Sequence, residues 1–162
     1  MAGAVLVVLA AALFLPLGAH TLVATADGAL VLRHPLDTYE TFAVSYTHSV
    51  NLAPVREIFV VRGAVIYLSA LEFDTFGAGM PTELEPGQLL VHLPDGGMRI
   101  EGFERPVGDL RYMVGYTSQL TLHLGSAVPI PLESLAQPGQ TVHISVRRLN
   151  VLQMLRLFLQ FV

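Results

Sequence analysis

The stretch Thr41-Phe42-Ala43-Val44-Ser45-Tyr46-Thr47-His48-Ser49 decides the fold of this chain. Phe42, Val44, Tyr46 and His48 alternate with the smaller Ala43, Ser45, Thr47 and Ser49. A period of two sends each set to its own face of a strand, and aromatic and β-branched side chains suit a half-buried pleated surface. The same pattern recurs on both sides. Upstream, Leu22-Val23-Ala24 and Leu30-Val31-Leu32 flank Asp27-Gly28, a hairpin turn pair. Downstream, residues 55–62 and 65–71 flank Gly63, and residues 89–93 and 98–101 flank Asp95-Gly96-Gly97. Segments 111–117, 120–124 and 141–147 complete the set, and no stretch between 27 and 146 keeps a helical period for three turns. The pattern predicts an all-β domain over residues 27–146, an antiparallel sandwich or barrel of about nine strands. Pro129-Ile130-Pro131 and Pro138-Gly139 read as punctuation within that one unit.

The two ends differ from the body. Ala2 to Ala19 is a run of eighteen residues without a polar side chain, and the first charge is Asp27. At the helical rise those eighteen residues span roughly 27 Å, close to the thickness of a bilayer's hydrocarbon core. Residues 1–26 are therefore expected to form a transmembrane anchor, with Pro16 kinking it or marking its outer end. A cleaved signal peptide competes, because Ala24-Thr25-Ala26 is an acceptable small-x-small site. Against cleavage, Met1-Ala2-Gly3 carries no basic side chain and the apolar run exceeds the usual length of a signal core. A helix buried in a soluble domain is disfavoured, since the run has no polar face. No basic residue flanks the amino end to set orientation, and export of the residues after 27 is expected.

After Arg147-Arg148, residues 149–162 lack Gly and Pro. At 100° per residue Asn150, Gln153, Arg156 and Gln160 share an arc of about 120°, the rest being apolar. Residues 147–162 thus read as an apolar amphipathic helix, too short to span a bilayer. It closes the β domain, lies at the membrane surface, or packs on a partner's membrane helices.

Composition narrows the function classes. Of 162 residues 52 % are hydrophobic and 14 % charged, with nine basic against thirteen acidic residues and a net charge of −4. Soluble domains carry about 25 % charged residues, so this chain points to membrane contact. The balance excludes a disordered chain and argues against nucleic-acid binding. The absence of cysteine removes disulfides and thiolate chemistry. All basic residues are arginine, which removes lysine Schiff-base catalysis and a lysine-dependent phosphate loop.

The densest polar cluster is Tyr46-Thr47-His48-Ser49 with Arg56 and Glu57. If 41–49 and 55–62 pair, Glu57 comes near Ser49 or His48. A serine, a histidine and a carboxylate invite a catalytic triad. However, adjacent His48 and Ser49 point to opposite faces of a strand, and no Gly-x-Ser-x-Gly elbow exists. No catalytic residue is assigned, and the chain is expected not to be an enzyme. A His48–Glu57 pair bracing an apolar face and a small-ligand or anion site of His48, Arg56 and Glu57 are the two remaining readings. His20, His34, His48, His92, His123 and His143 show no metal-ligand spacing, so neither metal nor cofactor is expected. In Phe73-Asp74-Thr75-Phe76-Gly77-Ala78-Gly79-Met80-Pro81, Gly77 and Gly79 allow a tight loop held by Phe73 and Phe76, or an anion-binding nest.

Three motifs in order, Tyr46-Thr47-His48-Ser49-Val50, Pro54-Val55-Arg56-Glu57-Ile58-Phe59 and Phe76-Gly77-Ala78-Gly79-Met80-Pro81, resemble the bacterial family catalogued as domain of unknown function 1850. The resemblance covers about residues 40–147 and is strongest over 46–81. Its characteristic residues carry over as Tyr46, His48, Ser49, Glu57, Gly77, Gly79 and Pro81, without an assigned role. The resemblance implies a context, since members tend to be encoded beside the permease and the TAXI-type substrate-binding protein of TRAP transporters (tripartite ATP-independent periplasmic transporters). It implies an accessory subunit anchored in the inner (cytoplasmic) membrane, with the β domain on the extracytoplasmic side. The partners would be the permease, the TAXI-type binding protein and the lipid bilayer. An independent periplasmic small-ligand-binding module and an exported hydrolase are the alternatives.

Overall fold

Alternating apolar side chains pair into eleven strands among the described residues, which in this computed structural model are 20–37, 40–77, 79–150 and 152–153. They are β1 (His20–Ala26), β2 (Ala29–Pro35), β3 (Thr41–Thr47), β4 (Pro54–Arg62), β5 (Val65–Phe73) and β6 (Leu89–His92). Then follow β7 (Met98–Pro106), β8 (Leu110–Met113), β9 (Thr121–Leu124), β10 (Ile130–Pro131), a single 3₁₀ turn (Leu132–Ser134) and β11 (Thr141–Arg148). One sheet has the order β2-β1-β11-β8, the other β10-β9-β3-β4-β5-β7-β6, and neighbours in both are antiparallel. The architecture is all-β and antiparallel, as the periodicity predicted; of the sandwich and the barrel expected, two separate sheets sharing a core correspond to the sandwich, with eleven strands among the described residues where about nine were expected.

The shared core follows from the period of two. Phe42 and Val44 are buried with Phe59, Val61, Ile66 and Leu68 of the larger sheet, against Leu22, Ala24, Val142 and Ile144 of the smaller. Phe42 and Phe59 are register partners, and their rings stack with centroids 5.1 Å apart. Each such side chain contributes about 1.5–3 kcal/mol through its removal from water.

Three boundaries differ from expectation. His20–Ala26 is strand β1, so the anchor expected over 1–26 does not reach Ala26. Leu22, Ala24 and Ala26 bury against the core, and the β1 backbone is committed to ladders with both β2 and β11. Residues 1–19 lie outside the described residues, and among the described residues no helix is long and apolar enough to cross a membrane. The strand expected over 111–117 stops at Met113, where the Val114 amide turns to the Gln140 carbonyl. At the carboxyl end β11 runs through Arg148. Asn150 Oδ1 then accepts from the Gln153 amide at 2.7 Å and Gln153 Oε1 from the Asn150 amide at 3.0 Å, the reciprocal pair of a capping box. The remainder of the helix expected over 147–162 lies outside the described residues.

Strand β7 is longer than expected because it bulges. Leu68 pairs with Arg105 while Ala70 pairs with Glu101, so residues 102–104 bow out opposite Ser69. Gly102 and Glu104 have φ of +85° and +47°. The bulge restarts the strand with Arg105 on the inner face, beside Leu68. Gly102 is irreplaceable on two grounds, its φ and its proximity to the Gly87 carbonyl, onto which an added Cβ would fall. Gly102→Ala is therefore expected to lower stability by about 2–4 kcal/mol, from left-handed strain plus overpacking. Gly108→Ala, at φ +66° with nothing within 4 Å, should cost only the strain, about 1–2 kcal/mol. Urea midpoints of the two variants check the contrast, and equal losses would refute it.

Candidate functional site

Register alone carries a carboxylate into the sandwich. Val44 pairs with Glu57 and Tyr46 with Val55. Partnered residues share a face, so Glu57 and Tyr46 both project inward with Val44, which is fully buried. Tyr112, on β8 of the opposite sheet, donates its hydroxyl hydrogen bond to Glu57 Oε2 at 2.5 Å. This bond joins the two sheets across their interface.

A cavity of about 390 Å³ opens beside it. Tyr46, Glu57, Arg105 and Gln88 line it together with Gly79 and Pro81 of the glycine loop. Leu68, Leu71, Met80 and Phe103 supply its apolar wall, and Glu83 and Glu85 add two further carboxylates. Burial raises the Glu57 carboxyl above the ordinary glutamate value, opposed by the Tyr112 hydrogen bond and the Arg105 charge. The Tyr46 phenol is pushed up to about 12, first by burial and then by the Glu57 charge. Tyr112 is raised by burial above all, then by Glu57. Both phenols thus remain neutral hydroxyl donors at physiological pH. The site can hold a proton at Glu57 and present hydroxyl donors and an arginine to a small polar guest.

The sequence motifs meet here in part. Tyr46, Glu57, Gly79 and Pro81 share the cavity wall, but the expected pairing of His48 with Glu57 does not occur. Strand β3 ends at Thr47, and the register sets Glu57 opposite Val44, so His48 lies beyond the carboxylate in the next turn. His48 Nδ1 instead accepts from the amides of Val50 and Asn51 at 3.3 and 3.4 Å. Its other ring nitrogen faces Gly79, where an added Cβ would sit 3.5 Å away. A Cβ on Gly77 would collide with the Asn51 side chain. The two loops therefore clasp each other: the turn after β3 closes on the glycine loop after β5. Phe76 packs edge-on against Phe73 with centroids 5.1 Å apart and remains 50 % exposed. Ser49 is exposed in the turn.

Arg56 also leaves the expected site. Neighbouring strand residues face opposite ways, so Arg56 points to the outer surface, 4.0 Å from Glu72 and 46 % exposed in its side chain. Glu72 in turn holds Arg99 of β7. On that outer face Ser45 Oγ and His123 Nε2 lie 2.8 Å apart. Burial, then Arg56, holds His123 below its ordinary value, which leaves the pair a neutral hydrogen bond at pH 7.

Sequence reasoning missed Tyr112, Arg105 and His123 as partners. The alternation in Leu110-Arg111-Tyr112-Met113 was visible, with Tyr112 on the same face as the core residue Leu110. Arg105 was hidden, because the bulge at 102–104 resets the alternation.

The electrostatics give two predictions. Because burial in the folded state raises the Glu57 carboxyl above its ordinary value, its native proton affinity exceeds that of the unfolded chain. That contribution is full below the unfolded value and lost as pH rises through the folded one. Glu57→Gln abolishes it, so the variant's stability relative to wild type should improve as pH rises from the ordinary glutamate value through the raised one. A pH-independent difference in urea midpoint would refute this. Tyr112→Phe should lower stability at neutral pH by about 1–3 kcal/mol, since it strips a half-buried carboxylate of its donor. In the Glu57→Gln background the loss should shrink, which a double-mutant cycle measures.

None of the curated proteins and none of the solved structures matches this sequence. A family model, Domain of unknown function (DUF1850), matches residues 42–130, from the start of β3 to β10 and across all three motifs. The match covers more than half of the chain, and the chain belongs to the DUF1850 family.

Proposed function

We propose that this chain is a membrane-anchored accessory subunit of a TAXI-type TRAP transporter, with its β sandwich on the extracytoplasmic side of the inner membrane. The observation that carries the reading is the pairing of β1 with β11. His20 is the register partner of Arg148, so the apolar run ending at Ala19 and the apolar segment beginning at Leu149 adjoin the sandwich at one pole. Arg33, Arg147 and Arg148 gather at this pole through the registers of β1 with β2 and β11, together with Glu40, which pairs with His34, and Asp109, which pairs with Arg147.

No linker separates Ala19 from β1, so a retained anchor holds the sandwich against the membrane. Tethering of this kind raises the effective concentration of a small domain at a docking site on the permease. The apolar segments pack on the permease, and the sandwich assists docking of the substrate-binding protein. Transport itself is ion-driven in the permease, and this chain needs neither cofactor nor catalysis. Purification of the permease from detergent extracts tests the reading, with this chain expected to copurify. A chain that runs alone while the permease stays intact defeats it.

The orientation has its own test, made simple by the absence of native cysteine. A fluorophore on Arg148→Cys in nanodiscs should be quenched by a headgroup-bound quencher, whereas one on Tyr116→Cys should not. The strands of seven to nine residues set the two positions about 25 Å apart. Equal quenching at both sites would overturn the orientation.

The cavity favours a second reading, an independent periplasmic small-ligand-binding module. Arg105 takes the place that sequence reasoning gave to Arg56. That reading expects thermal stabilisation by a small polar ligand, lost in Glu57→Ala; a broad screen without any shift would count against it.

A further inference from the structure

The strand directions separate two poles. Met113, Thr141 and Ala26 end their strands away from His20 and Arg148. Because β8 passes to β9 through residues 114–120, the same end of the larger sheet carries the 48–53 turn and the 74–80 loop. The Thr47 amide bonds the Ser118 carbonyl at 2.8 Å, and Asn51 fills the space over Gly77. Segments 114–120, 48–53, 74–77 and 79–80 therefore lie side by side in one crest.

That crest is apolar and exposed. Tyr116 is 90 % exposed, Leu52 77 %, Val50 67 % and Phe76 50 %. Leu52 is held there against backbone preference, at φ +51°. Its amide bonds the His48 carbonyl at 2.9 Å, which pins the turn. Strain that keeps an apolar side chain in water gives the isolated fold no burial in return.

The loops of this pole are acidic, with Arg56 of β4 beside Asp74 and Asp95 at their base. Asp27, Asp74, Asp95 and Glu133 are exposed in its loops, and residues 27–28, 48–53, 74–80, 93–97, 114–120 and 132–140 contain no arginine or lysine. At the other pole the charges are mixed, with Arg147 paired to Asp109 and His34 to Glu40.

We propose that this motif-bearing crest docks a soluble protein that presents a basic rim around an apolar centre. The inference rests on the accessory-subunit reading and assigns the docking face within it. Two rival occupants fail on charge and distance. An anionic bilayer repels the acidic loops, and the membrane proposed to hold the opposite pole is a strand length away. A second copy of this chain would set one acidic rim against another. A soluble partner with complementary charge gains steering as well as contact, with aromatic Phe76 and Tyr116 as anchors.

The test uses the full chain with the permease in nanodiscs and the purified TAXI-type substrate-binding protein as probe. Wild type should bind, more weakly as salt rises. Phe76→Ser should weaken binding at least tenfold. Leu52→Gly should do so while keeping or raising the melting temperature, because glycine suits φ +51°; this separates docking from folding. Asp74→Asn with Glu133→Gln should weaken binding and flatten its salt dependence. Copurification with the permease should persist in every variant. Loss of copurification by the wild type defeats the accessory reading itself. Copurification without any binding of the probe, or binding unchanged in Leu52→Gly and Phe76→Ser, overturns the docking face alone.

Discussion

The pairing of β1 with β11 is the constraint on which the rest of the molecule depends. It joins strands from opposite ends of the sequence in seven consecutive register pairs, His20↔Arg148 to Ala26↔Val142. Leu22, Ala24, Val142, Ile144 and Val146 then form one side of the core. Without this ladder the smaller sheet would retain no centre, since β2 and β8 each pair with only one of its two strands. The same ladder gives the sandwich its polarity, with His20 and Arg148 at one end and the motif loops at the other.

Glu57 is the exception inside this apolar frame. Its neighbour on the inner face, Val44, is fully buried, so its side chain must find polar company at the edge of the core. Tyr112 provides it from the facing sheet, and Arg105 adds a balancing charge. A half-buried carboxylate with one strong donor costs stability relative to an apolar side chain of similar size. Its place beside a cavity shared with Arg105 and Gln88 is what supports the ligand-binding reading proposed above. The cavity wall also includes Gly79 and Pro81, which ties the carboxylate to the glycine loop.

Much of this was legible in the sequence, and the failures have specific causes. Alternation over 41–47 revealed β3, with Phe42 and Val44 buried on its inner face, although the small outer Ala43 is buried as well. The Asp27-Gly28 turn revealed the β1–β2 hairpin because both residues tolerate the positive φ such a turn requires. Residues 20–26 were ambiguous, since an apolar run can continue a membrane helix or enter a sheet; partners over a hundred residues away in β11 settle it. The register of β3 on β4 could not be read from either strand. An offset of four residues separates His48 from the position that would face Glu57, and no local preference fixes it. Arg105 was illegible because the bulge at 102–104 breaks the alternation by which inner and outer faces are told apart.

The three motifs now have a common physical logic. Strand motif residues Tyr46 and Glu57 supply polar groups to the cavity, while His48 and Asn51 shape the turn that follows. The glycine loop serves both regions at once: Phe76 stands on the exposed crest, and Gly79 and Pro81 line the cavity only three to five residues later. Gly77 must be small because Asn51 occupies the volume that a side chain would need, and Gly79 must adopt φ +83° with His48 close by. A side chain at Gly77 would push the loop off the turn, and one at Gly79 would strain the backbone that carries the loop into the cavity. The motif spacing is thus the spacing of one continuous structure, in which two loops that are clasped by steric fit hold an outward surface and an inward polar site in fixed relation.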